Sequence, residues 1–275
     1  MVLLKNTGDM ALKRRARRIV EELNPRDGDN ILDVGCGDGY YLHLLSNLGM
    51  KLKLTGTDFD PLALASAKRN LKGKNIPFVQ ADLMKKLPFK DRIFDKIVMS
   101  EVAEHLPNDL KGLKEVKRVL KKEGTMVLTV PNYNFPFLWD PINWVLQNVF
   151  GTHIKSGFWA GIWNQHIRLY KPEQIKNVVE AAGFNVSLAE PLTFWSLPFN
   201  HNLMHFAAKK LYGGNLSRET IKAVSKFEIT SKKSGIFNYA FKFVNFVDKL
   251  NDLWTPKSWG VGIFILAKKK PGIKN

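Results

Sequence analysis

The densest chemistry in this sequence sits in Ile31-Leu-Asp-Val-Gly-Cys-Gly-Asp-Gly39, an aliphatic run that turns on alternate glycines and opens into Tyr40-Tyr-Leu-His-Leu-Leu. A turn carrying Gly35, Gly37 and Gly39 around Cys36 lets a ligand approach the backbone closely, at a helix start beyond the carboxyl end of a strand. The spacing is G-x-G-x-G, not the G-x-G-x-x-G of dinucleotide sites. Tyr40 stands where the third glycine of that fingerprint belongs, which argues against a cradled pyrophosphate and so against NAD. A second acid follows 19 residues after Gly39, in Thr57-Asp58-Phe59-Asp60-Pro61. A carboxylate at the end of the second strand suits a ribose diol, accepting from both hydroxyls. Asp82, in Gln80-Ala-Asp82-Leu83, follows the next strand and suits an adenine amino group. Acids at successive strand ends, Asp33 included, read together as a nucleoside pocket without phosphate.

A second constellation is Glu101-Val-Ala-Glu104-His105. Spacings of three and four predict both carboxylates and the imidazole on one face of a helix. Such a set either holds a divalent cation or leaves His105 to act alone as a general base.

The elements that must position these groups follow from the hydrophobic pattern. Aliphatic runs at 31–34, 52–57, 77–80, 94–99 and 125–130 alternate with amphipathic stretches at 40–48, 61–71 and 110–121, which predicts a doubly wound α/β fold with a parallel sheet. Residues 11–24 read as a basic helix laid over the first unit. The rhythm returns at 171–184, where Pro172 suits a first helical turn and Gly183 a C-terminal cap, and residues 260–267 read as a last buried strand. Two interruptions remain. Residues 131–165 are crowded with Phe, Trp and Tyr, and residues 192–257 carry 10 Lys+Arg against 4 acids. Within the second, Tyr239, Phe243, Phe246, Val247, Leu250 and Trp254 recur at helical spacing, with Lys242, Asn245, Asp248, Lys249 and Asp252 on the other side. The expectation is one domain over 1–275 carrying both insertions.

In this setting the sequence resembles the class I S-adenosylmethionine-dependent methyltransferases, in particular the methyltransferase type 11 group related to quinone biosynthesis. The carrying residues are Asp33-Val-Gly-Cys-Gly-Asp-Gly39, Asp58, Asp82-Leu83, Phe94-Asp-Lys-Ile-Val98 and Ser100-Glu-Val-Ala-Glu-His-Leu106, and the likeness spans residues 30–190 and the last strand. The resemblance implies a Rossmann-like, mostly parallel seven-stranded sheet with helical insertions before and after the sixth strand. It implies S-adenosylmethionine as cofactor, with the methionine moiety over the glycine turn near Asp33, ribose on Asp58, adenine between Phe59 and Leu83 with Asp82 at its edge, and Ser100 beside the pocket. The E-x-x-E-H string is similar to that of ubiquinone-pathway O-methyltransferases and small-RNA 2′-O-methyltransferases, in which it ligates a metal with a further downstream His. His166 is the match here, with His153 in reserve, but the residues around His166 follow neither family's pattern. Two routes therefore stand, a metal held by Glu101, Glu104, His105 and His166, or His105 as a simple base, and the base is favoured.

Composition bounds the rest. An apolar share of 45% excludes a disordered chain, and a single Cys excludes a disulfide scaffold or a Cys-rich zinc site. The N-terminus lacks the apolar core of a signal peptide, and no run of about 20 apolar residues is present, so the expectation is a cytoplasmic protein that does not cross a bilayer. A net charge of +17 favours anionic partners. The aromatic insertion is expected either to line an apolar acceptor cavity or to be ordinary core. The basic insertion is expected to be a lid, an element lying on an anionic membrane surface, or both. The expected activity is methylation, at oxygen, of an apolar or lipid-like small molecule. RNA methylation is the runner-up, because the cluster from Arg14 to Arg18 could contact phosphates, and a cofactor-binding protein without transfer activity is the third alternative.

Overall fold

The central strands form where β-branched and aliphatic residues cluster, as in Ile31-Leu32 of the first and Met126-Val127-Leu128 of the fifth, as expected for strands covered on both faces. In the computed structural model, which describes Leu4, Thr7 and residues 9–195, 226, 227, 236–253 and 258–270, the strands build a seven-stranded, mostly parallel sheet of order β3-β2-β1-β4-β5-β7-β6. The strands are β1 (Asn30–Val34), β2 (Lys53–Asp58), β3 (Phe78–Gln80), β4 (Phe94–Ser100), β5 (Leu120–Pro131), β6 (Phe184–Leu192) and β7 (Gly262–Lys269). The helices are α1 (Met10–Leu23), α2 (Tyr40–Ser46), α3 (Pro61–Asn70), α4 (Asp109–Val119), α5 (Pro141–Phe150), α6 (Pro172–Ala181) and α7 (Ile236–Leu250). Trp254 and the side chain of Tyr239, both expected on the amphipathic stripe, lie outside the described residues, as does most of the second insertion.

Parallel pairing in register brings the functional strand tips level. Val34 faces Thr57 on β2 and Met99 on β4, Asp58 faces Gln80, and Ser100 faces Thr129. β3, β2, β1 and β4 are parallel neighbours, so the residues that follow them line one continuous edge, and the strand order, which runs outward from β1 to β3 on one side, restarts with β4 on the other. That switch point is where open α/β sheets bind ligands.

Helix starts are fixed by local side chains. Asp60 accepts from the Leu62 amide with Pro61 in the first turn, and Asn108 accepts from the Lys111 amide. α4 ends at Val119, earlier than the periodicity suggests, because Leu120 turns extended (φ −74°, ψ 136°) and pairs with Phe94. This keeps Leu120 fully buried in the core.

The chain divides into two compact units. One comprises residues 18–130, 170–190 and 263–275; its core packs Leu32, Ile97, Met99, Met126, Phe184 and Ile263 from the sheet with helix residues such as Val116 and Ile175. The other comprises 1–17, 131–169 and 191–262, so the two insertions share a unit with the start of the chain. Its core joins Ala11 to Phe135, Trp139, Ile162, Trp163, Leu169 and Val261. There Asp140, buried, accepts from the Asn143 and Ile162 amides and from Asn143 Nδ2 (3.1, 3.1 and 2.9 Å). Gly161 (φ 53°) sits so close that an added Cβ would lie 1.8 Å from Asp140 Oδ2.

Candidate active site

The glycine turn leaves β1 strapped to β2, with the Gly35 and Cys36 amides both donating to the Thr57 carbonyl at 2.7 and 2.9 Å. Gly35, Gly37 and Gly39 all have positive φ, yet they do different jobs. A Cβ on Gly35 would lie 2.4 Å from Val102 Cγ2, and one on Gly39 would lie 2.8 Å from Leu71 Cδ1, so these two serve packing. Of the three, Gly37 alone faces open space, which leaves its main chain approachable. The Cys36 thiol is buried and its pKa is pushed far up by burial, then by the charges of Asp33 and Asp58, so it is no nucleophile here.

Asp33, at the penultimate position of β1, is buried with both carboxylate oxygens lacking a hydrogen-bond partner. Burial, and after it the charges of Asp58 and Asp38, raises its pKa to about 8. A buried carboxyl without a partner is unfavourable by itself and suits a cationic ligand group. Asp58 is more committed than its place in the sequence suggests. Its Oδ2 accepts from the Gly37 amide at 2.8 Å and its Oδ1 from the Asp60 amide at 2.9 Å. Those bonds pin the carboxylate against the turn, and each oxygen retains a second lone pair for a diol. Asp82 accepts from the Met84 amide at 2.8 Å, Leu83 is buried in the core, and Phe59 stands 71% exposed with its carbonyl taking Gln80 Nε2 at 3.1 Å.

At the tip of β4 the sequence expectation needs correction. Glu101, Glu104 and His105 do not share a helical face, because only Ala103–His105 is helical, as a single 3-10 turn, and Glu101 precedes it with φ 56°. The chain must turn sharply here to leave the sheet, and the left-handed residue makes the turn. Glu101 Oε1 accepts from Thr129 Oγ1 at 3.0 Å, which contacts Ser100 Oγ at 2.8 Å, which in turn contacts Tyr41 Oη at 2.9 Å. Tyr41 and Thr129 escaped the sequence reading, since no spacing signal links α2 and β5 to this tip. Glu104 is fully buried, and His105, 39% exposed, holds Nε2 3.8 Å from its carboxylate. His166 and His153 belong to the other unit. There His166 Nδ1 lies 2.5 Å from the Ile162 carbonyl, and His153 stacks on Trp163 at 3.8 Å, its pKa lowered by burial and by Lys155. Glu104 and His105 thus stand together at this turn as candidate metal ligands.

Three arginines of the Arg14–Arg18 cluster make ion pairs within the chain. Arg14 is buried against Asp248 and Asp252, Arg17 reaches Asp252 at 3.3 Å, and Arg18 pairs with Glu22 and Glu190 at 2.8 and 2.7 Å.

The residues present suit S-adenosylmethionine, a nucleoside that carries positive charge and no phosphate. Comparison with known proteins agrees. The family described as Methyltransferase domain matches residues 32–128. Over 178 residues the chain is 30% identical to demethylmenaquinone methyltransferase of Staphylococcus aureus, covering 61% of this chain and 73% of that one. It is 33% identical over 157 residues to the uncharacterized protein MJ1252 of Methanocaldococcus jannaschii, spanning 56% of the length of each. The fold is shared with the [4+2]-cyclase SpnF, at a TM-score of 0.57 and 19% identity over 94% of this chain and 81% of that one. The chain belongs to the class I S-adenosylmethionine-dependent methyltransferases.

Proposed function

We propose that this methyltransferase acts on an oxygen of an apolar small molecule, with His105 receiving the acceptor's proton. The observation that carries the acceptor class is a cavity of about 350 Å³ walled by Phe135, Phe137, Trp144, Phe194, Trp195 and Trp259, with Asn134 and Asn148 as polar points. Small-molecule sites have this makeup, mostly apolar with a few placed polar groups. The relative named for demethylmenaquinone, an apolar quinone, supports the same class.

When bound, S-adenosylmethionine supplies an electrophilic methyl group on a sulfonium. The chain's part is to hold and orient. In this reading Asp33 pairs with the methionine ammonium, the open face of Gly37 admits the main chain of that moiety, Asp58 takes the ribose hydroxyls, and Phe59, Asp82 and Leu83 bound the adenine. Ser100, fixed between Tyr41 and Thr129, shapes the floor. His105 is 39% exposed, with Nε2 3.8 Å from the buried Glu104 carboxylate, so its ring is within reach of solvent and of an acceptor hydroxyl's proton.

The test is transfer of labelled methyl from S-adenosylmethionine to a lipid extract and, separately, to total RNA, with and without chelator. Label is expected in the organic phase, with rates unchanged by chelator, lowered about a hundredfold or more by His105→Ala, and little affected by Glu101→Gln. Label in RNA would refute the acceptor class. Loss to chelator with recovery on adding one divalent ion would refute the base.

A further inference from the structure

Among the described side chains of helix α7, burial runs against polarity. Its sequence is amphipathic, and the ordinary result would bury Phe243, Phe246 and Leu250 and leave Asp248 in water. The reverse is found. Asp248 is 6% exposed, with its carboxylate 3.0 Å from Lys13 Nζ and 2.5 Å from Arg14 Nε, both on α1. Lys13 Nζ also donates to Asn245 Oδ1 at 2.6 Å, and Arg14 Nη2 reaches the Asp248 carbonyl. Just past the helix, buried Asn251 accepts from the Phe194 and Trp195 amides at 2.6 and 2.8 Å and donates to the Trp195 carbonyl at 2.9 Å. Bonds along the polar side thus fix which face points outward. That face carries Phe243, Phe246 and Leu250, then Leu253, exposed by 56%, 64%, 37% and 80%.

Exposed Lys242 and Lys249 lie one turn to either side of Phe246. The acids of this segment, Asp248 and Asp252, are both paired with arginine. The outward surface is therefore apolar, with the exposed Lys242 and Lys249 at its edges. Among the described residues, the large apolar side chains that stand exposed all belong to this unit, apart from Met50, Phe59 and Leu62.

We infer that this face of α7 lies in the headgroup layer of an anionic lipid bilayer. An interfacial helix needs apolar side chains on one face with basic residues beside them, and no described helix is long and apolar enough to cross a membrane. A second copy of the chain fits the face less well, because each copy carries +17. The inference concerns binding alone and stands apart from the acceptor assignment.

The test is sedimentation of the full chain with phosphatidylcholine vesicles containing or lacking 30% phosphatidylglycerol, without cofactor. Binding is expected to be at least about tenfold tighter to the anionic vesicles and to weaken with salt. Phe243→Ser with Phe246→Ser should weaken it by at least about tenfold. Lys242→Glu and Lys249→Glu should each cost about fivefold on anionic vesicles and little on neutral ones. All four positions are exposed, so tryptophan-monitored melting of each variant should match the parent. No binding to vesicles, or binding indifferent to the Phe variants, overturns the inference. So does a dimer in sedimentation velocity that the Phe variants convert to monomer while vesicles are ignored, or RNA binding in place of lipid binding. Any of these failures leaves methyl transfer to an apolar molecule in solution untouched.

Discussion

Asp33→Asn should make the cofactor-free protein more stable and deprive it of S-adenosylmethionine, and the stability gain should grow with pH. The carboxyl is wholly buried without a partner, and its pKa rises from 3.8 to about 8 through burial first and the charges of Asp58 and Asp38 second. The unfolded chain releases this proton near pH 4, while the native chain keeps it until pH approaches 8. Between those values the native state binds more protons, so stability falls as pH rises. One group in this position contributes a slope of about 1.4 kcal/mol per pH unit. From pH 5 to pH 8 the wild type should therefore lose on the order of 4 kcal/mol that the non-titrating variant retains. At pH 5, where the wild-type carboxyl is neutral, the two should be nearly alike. Urea denaturation followed by far-UV circular dichroism at pH 5, 6.5 and 8 measures the difference. Adding S-adenosylmethionine at a hundred times its Kd should stabilise the wild type by about 2.7 kcal/mol and leave the variant unchanged. A wild-type-to-variant difference that is the same at pH 5 and pH 8 would refute the reasoning.

Asp58→Ala should weaken S-adenosylmethionine about 10- to 150-fold by calorimetry, the equivalent of one charge-assisted bond worth about 1.5 to 3 kcal/mol. Asp58→Asn should be nearly as damaging, because its amide N–H2 would oppose the Gly37 or Asp60 amide that each carboxylate oxygen now receives; a change below threefold would remove Asp58 from the cofactor site. Gly161→Ala, placed at φ 53° against Asp140, should destabilise its own unit by about 2 to 4 kcal/mol. All seven tryptophans fall in that unit, so tryptophan emission should melt early while the sheet signal in circular dichroism persists.

Much of this protein could be read from local pattern. Alternating aliphatic runs and amphipathic stretches predicted the doubly wound sheet, and the glycine turn, Asp58 and Asp82 were legible as the ends of neighbouring strands, because strand and helix periods and turn chemistry depend on residues close in the chain. Pro172 and Gly183 marked the ends of α6 for the same reason. What the tertiary structure decided concerns residues far apart in sequence. Only folding brings Val102 against Gly35 and leaves open space at Gly37, and only folding links Tyr41, Ser100, Thr129 and Glu101. The E-x-x-E-H spacing suggested a helical face, but leaving the sheet required a left-handed turn at Glu101, and that constraint outweighed helical spacing over so short a stretch. The orientation of α7 is the clearest case. Its pattern announces two faces, yet periodicity says nothing about which one packs inward; the buried pairing of Asp248 with Lys13 and Arg14, some 235 residues away in sequence, made that choice.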